Sequence, residues 1–153
     1  MRLAFALAPT LLCTGALAQT PAGHPPPKVE RLCGKLQRVQ TIPVKDSPLN
    51  LVEKTTDISG AAISLYPTGG KTECCNALSA IARSTTGRWG GFHLNDKRLP
   101  GGFYWLVAEV AGQKYKLLIQ YVSQRNSNQL CSDTYWQLNE NGEFWKTETI
   151  FVE

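Results

Sequence analysis

Along most of the chain apolar and polar residues alternate with period two, the mark of strands that bury one face. In AAISLYP, Ala61, Ile63 and Leu65 fall on one face, and in GFYWLVAEV, Tyr104, Leu106, Ala108 and Val110 share a face. In QKYKLLIQYV, Tyr115, Leu117, Ile119 and Tyr121 alternate with Lys114, Lys116, Leu118 and Gln120. Between the last two segments lie only Ala111 and Gly112, with Gln113 opening the second, so they are expected to be hairpin neighbours. TYWQL and EFWKTETIFV flank NENG, whose Asn141-Gly142 is a strong hairpin signal. RLCGKLQRV reads as a strand and LNLVEKTT as a weaker one. ECCNALSAIARS is ambiguous between a helical turn over Asn76 to Ala82 and a strand over Ala80 to Ser84, and the strand is preferred.

Roughly seven or eight short strands separated by turn signals predict an all-β, antiparallel sandwich. If Tyr104, Leu106, Ala108 and Val110 point inward, then Phe103, Trp105, Val107 and Glu109 take the opposite face. A face carrying both Trp105 and Glu109 is either partly wet or covered by an irregular segment. In the wet case Phe103 and Trp105 form an apolar strip for a ligand or partner.

The ends of the chain have a different character. Residues 1–18, MRLAFALAPTLLCTGALA, carry one charge at Arg2, an apolar run from Leu3 to Leu12 and the ending Ala16-Leu17-Ala18, the layout of a secretory signal cleaved after Ala18. Cys13 follows two leucines, which does not fit a lipoprotein signal. Residues 19–28, QTPAGHPPPK, read as a proline-rich flexible leader that includes His24, so the sandwich domain is expected over residues 29–153. The formal net charge of +4 comes from dispersed side chains with no basic run, which argues against nucleic acid. No second apolar stretch approaches the roughly twenty residues of a membrane span, so no membrane insertion is expected after signal cleavage.

Of five cysteines, Cys33, Cys74, Cys75 and Cys131 follow the signal, and an even count in an exported chain reads as two disulfides. A Cys74–Cys75 bond would close a small strained ring, and neighbouring strand side chains point to opposite faces. The expected pairing joins Cys33 and Cys131 each to one of the central two, with the choice between those two open. A metal site would want a C-x-x-C pair with nearby histidines, and the sequence has neither.

ISGAAISLYP, STTGRWGGFHL and LPGGFYWLVAEVAG together resemble the carboxypeptidase regulatory-like domain family, within the wider group of transthyretin-like (prealbumin-like) sandwiches. Gly60-Ala61, Ile63 and Leu65 match the family's first strand, Thr86, Gly90 and Phe92 part of its second element, and Leu99, Pro100, Gly102, Tyr104, Leu106 and Gly112 its third. The resemblance covers Ile58 to Val122, about half of the expected mature chain, through motifs that are mostly structural. It implies a Greek-key sandwich in an accessory role, often beside a larger catalytic or transport domain. Gly87 and Trp89 stand where the family often has acidic residues, so a carboxylate-based ion site at that turn is not expected.

The candidate chemistry is sparse. His93 is the one histidine of the expected domain, and no G-x-S-x-G elbow accompanies it. Transthyretin-like hydroxyisourate hydrolases use several histidines and a C-terminal Tyr-Arg-Gly-Ser, whereas this sequence ends in Thr149-Ile150-Phe151-Val152-Glu153. Intradiol dioxygenases hold iron with two tyrosines and two histidines, which a single domain histidine cannot supply. No catalytic residue, metal or cofactor is therefore expected. The tryptophans Trp89, Trp105, Trp136 and Trp145 are numerous for the length, and sugar rings stack on exposed aromatic faces. The expected function is a secreted or periplasmic, non-catalytic module with a structural or protein-interaction role. The alternative is a carbohydrate-binding module using Trp105, Phe103 and Trp89. Its partner would be a protein or polysaccharide of the cell envelope or exterior.

Overall fold

A computed structural model of the chain describes residues 25–68, 74–75, 79–123 and 129–148. The expected signal, residues 1–18, and most of the leader lie outside the described residues. The described residues form ten strands and one short 3₁₀ turn, Cys131–Asp133. The strands are β1 (Lys28–Val29), β2 (Cys33–Val44), β3 (Ser47–Asp57), β4 (Ala62–Pro67), β5 (Ala82–Thr85), β6 (Gly91–His93), β7 (Gly102–Val110), β8 (Gln113–Tyr121), β9 (Thr134–Asn139) and β10 (Phe144–Glu148).

Two sheets pack face to face as a β-sandwich. One has the order β1-β8-β7-β4-β5, the other β10-β9-β2-β3, with β6 also paired to β2. The alternation read from the sequence puts Ile63, Leu65, Tyr104, Leu106, Ala108, Tyr115, Leu117, Ile119 and Tyr121 into the first sheet's contribution to the core. Leu36, Trp136, Leu138 and Phe144 enter from the second. Trp136 is fully buried, donates its indole N–H to the Cys33 carbonyl at 3.1 Å, and packs between Phe92 and Phe144.

The turns follow from their residues. Ala111 (φ 50°) and Gly112 (φ 80°) both take positive φ between Val110 and Gln113, the two-residue hairpin geometry whose twist suits flanking strands. Asn139 to Gly142 closes the β9–β10 hairpin, with Gly142 N donating to Asn139 O at 3.2 Å. Gly90 (φ 77°) sits where β3 leaves the edge of β2 and β6 joins it. Its carbonyl accepts from Leu36 N, and a Cβ there would lie 2.6 Å from Leu36 O, so only glycine fits.

Three features differ from the sequence expectation. The strands number ten: GFHLN, which alternates around His93, does form β6, whereas β1 is too short for periodicity to reveal. The sheets are not wholly antiparallel, since β1 pairs β8 and β2 pairs β9 in parallel, and parallel neighbours require long crossovers rather than hairpins. Ordered pairing also begins at Lys28, in what reads as leader, because Val29 is fully buried and Pro27 O accepts from Gln120 N.

The cysteine pairing is corrected. Cys33 bonds Cys131, with Cα atoms 5.2 Å apart, and Cys74 bonds Cys75. Lys35 lies opposite Tyr135 in the parallel β2–β9 pair, which brings the start of β2 against the 3₁₀ turn that leads into β9. Cys74 and Cys75 lie on the connection from β4 to β5, in the other sheet. Cys75 takes φ 79°, so the pair is not part of an extended strand, one of the two grounds on which the bond is not expected from the sequence.

Candidate functional site

Direct cross-strand partners share a face of a sheet, so the registers assign the outward rows of both sheets. On the β1–β5 sheet, Trp105 lies opposite Leu118 of β8 and Tyr66 of β4. Phe103 lies opposite Gln120 at one end of this row, and Val107 opposite Lys116 and Ser64 at its other side. Glu109, opposite Lys114 and Ala62, completes the outward face of β7, and Arg83 of β5 extends the Ser64 row. The expected alternation along β7 is therefore present, with Tyr104, Leu106 and Ala108 buried in the core and Phe103 49% exposed.

The face is neither open nor fully covered. Trp105, Leu118 and Tyr66 are half-buried and Val107 is buried, although it points away from the core. The Trp105 indole N–H is out of reach of solvent and has no acceptor among the described residues. Beside Tyr66 the surface sinks into a shallow depression of about 410 Å³ bordered by Ser64, Arg83, Thr85 and Glu109. The arrangement is an aromatic and aliphatic centre, Phe103-Trp105-Leu118-Tyr66, with Arg83, Glu109, Lys114 and Lys116 around it.

Trp89 is not part of this strip. It is 65% exposed on the turn between β5 and β6, where the Arg88 guanidinium stands 5.1 Å from its ring centroid. That turn follows Thr85, which with Ala62 and Glu109 marks the end of the sheet opposite Phe103, about 20 Å away along β7 at the usual rise per residue. The sequence-derived trio is thus split into a neighbouring pair, Phe103 and Trp105, and a separate Trp89. His93 is exposed on β6. Among the described residues no three His, Cys, Asp or Glu side chains gather to hold a metal ion.

The outer face of the other sheet carries a row that the sequence reading did not find. Trp145 Nε1 donates to Gln137 Oε1 at 3.1 Å, Gln137 Nε2 to Gln37 Oε1 at 3.1 Å, and Gln37 Nε2 to Asp57 Oδ1 at 3.0 Å. Lys35 Nζ ends the row 3.7 Å from the other Asp57 oxygen. The four strands β10, β9, β2 and β3 hold these residues in direct register. Tyr135 flanks the row between Lys35 and Thr147. The alternation of RLCGKLQRV and TYWQL does place Gln37 and Gln137 away from the core. Nothing local indicates that two strands a hundred residues apart are neighbours.

Two tyrosines near the Asn95–Gly101 loop have perturbed ionisation. Burial raises the Tyr104 phenol above its ordinary range, and its hydroxyl donates to Pro100 O at 2.7 Å. Burial also raises Tyr121, with further contributions from the nearby Asp96 charge and hydrogen bond. Both rings lie on the core side, edge to face at 6.4 Å, and hold the loop to the sandwich. No protein-family model, curated protein or solved structure matches the chain.

Proposed function

We propose that this protein is an exported, non-catalytic module of the carboxypeptidase regulatory-like type that binds a protein of the cell envelope or exterior through the outward face of β7 and β8. The observation that carries the reading is the half-exposed Phe103 beside the Trp105-Leu118-Tyr66 row, bordered by charged residues. An aromatic centre within a polar, charged rim is the anatomy of a protein contact surface. Half-burial of Trp105 favours a protein partner over a sugar on this strip, because sugar stacking needs an open ring face and Phe103 alone offers one.

Export is supported by the signal-like residues 1–18 and by the Cys33–Cys131 bond, since disulfides persist in oxidising compartments. Among the described residues no helix is long and apolar enough to cross a membrane. The experiment is co-purification of the full chain from the exported fraction of its own cells, comparing wild type with Phe103→Asp. A partner that stays with the wild type and is lost from the folded variant supports the proposal. A partner set unaffected by Phe103→Asp overturns it.

A further inference from the structure

The row on the second sheet has an unusual chemical property: its two amides are locked and half used. The Trp145 indole can only donate and the Asp57 carboxylate can only accept, so neither Gln137 nor Gln37 can turn its amide over without placing like groups together. Each amide uses one of its two N–H groups and one of the two lone pairs on its oxygen. That leaves one donor and one acceptor per amide without a partner among the described residues. These residues all remain partly open to solvent on the face of the sheet. Strand spacing makes the row from Trp145 to Asp57 about 14 Å long.

We propose that this face is a binding site for a neutral, extended polysaccharide chain, separate from the Phe103–Trp105 strip and independent of its function. A sugar hydroxyl both donates and accepts, as does the free edge of each amide. Two amides held at strand spacing can therefore engage successive hydroxyls along one chain. Because the neighbours already fix the amides, binding does not have to order them, which lowers its entropic cost. The run of bonds towards Asp57 also polarises each amide in turn, which strengthens the bonds that hold the row. Trp145 and Tyr135 add aromatic surface at the β10 and β9 end. The chemistry selects a neutral chain, because the charges in the row, Lys35 and Asp57, already pair with each other.

The test uses the whole exported chain, titrated calorimetrically with cellohexaose, xylohexaose, mannohexaose and maltohexaose and followed in parallel by two-dimensional amide spectra. At least one hexasaccharide should bind and shift the Trp145 indole and the Gln37 and Gln137 side-chain amide resonances. Its affinity should fall at least tenfold in Gln137→Leu and stay unchanged in Trp105→Ala. Binding by none of the four, shifts confined to the neighbourhood of Trp105, or an unchanged affinity in folded Gln137→Leu overturns the proposal. Shifts of the row that depend on protein rather than sugar concentration would assign the face to a second copy of the chain and also overturn it. The spectra need no variant, so they decide the question even if Gln137→Leu does not fold.

Discussion

Gln137 donates to Gln37 across two parallel strands at 3.1 Å, and the direction of that bond is dictated by a donor-only indole at one end of the row and an acceptor-only carboxylate at the other. The bond joins β2 to β9, the pairing that unites the N-terminal and C-terminal halves of the sheet. A double-mutant cycle with Gln37→Met and Gln137→Met should show a coupling of about 0.5–1 kcal/mol, the range of a cross-strand polar pair. Strict additivity in denaturant unfolding would mean that the two amides do not interact in solution.

The Cys33–Cys131 bond closes a loop with a sequence separation of 98. Loop-closure entropy for such a length sets an upper value of about 4–5 kcal/mol for its stabilisation. Replacing both cysteines by Ala should therefore lower stability by about 2–5 kcal/mol. Peptide mapping without reduction should yield a Cys33–Cys131 cross-linked peptide and no link from either to the Cys74-Cys75 fragment. A link of either residue to that fragment would contradict the fold around β9.

Alkaline pH should loosen the Asn95–Gly101 loop. In the unfolded chain a tyrosine loses its proton near pH 10, whereas folded Tyr104 and Tyr121 hold theirs to higher pH. The unfolded state therefore binds fewer protons above about pH 10, and stability contributed by these phenols is present below that pH and lost as pH rises through their raised values. Tyr104→Phe with Tyr121→Phe should show a flatter fall in unfolding free energy above about pH 10 than the wild type. Equal slopes would show that other groups control the alkaline limb.

Phe103 and Trp105 should respond differently to truncation although they share a face. Phe103 is half-exposed, so Phe103→Ala should cost no more than about 0.5–1 kcal/mol. Trp105 lies half-buried between Leu118 and Tyr66, and Trp105→Ala should cost about 2 kcal/mol, below the 3–5 kcal/mol of a fully buried ring. Thermal unfolding of the two variants checks this. A loss for Trp105→Ala as large as that for Trp136→Ala would make Trp105 a core residue.

The first sheet and its strip were legible in the sequence because they are local. The β7–β8 hairpin needs only Ala111-Gly112 and period-two alternation, and the same alternation sends Phe103 and Trp105 outward. The second sheet was harder to read because its central pair, β2 and β9, is joined by parallel register rather than a turn. The disulfide partners and the Gln37–Gln137 row both follow from that one long-range pairing, so both were missed together. β1 escaped for another reason: two residues are too few to show a period, and prolines precede them.

Photo-crosslinking from position 103 in the producing cells tests the proposed partner surface most directly. With Phe103 replaced by p-benzoylphenylalanine, the account predicts one discrete protein adduct, absent when the same group is placed at Leu49, which is 94% exposed on the β3 edge. No adduct from position 103, or the same adduct from both positions, would contradict the claim that the Phe103–Trp105 face is where this module meets its partner.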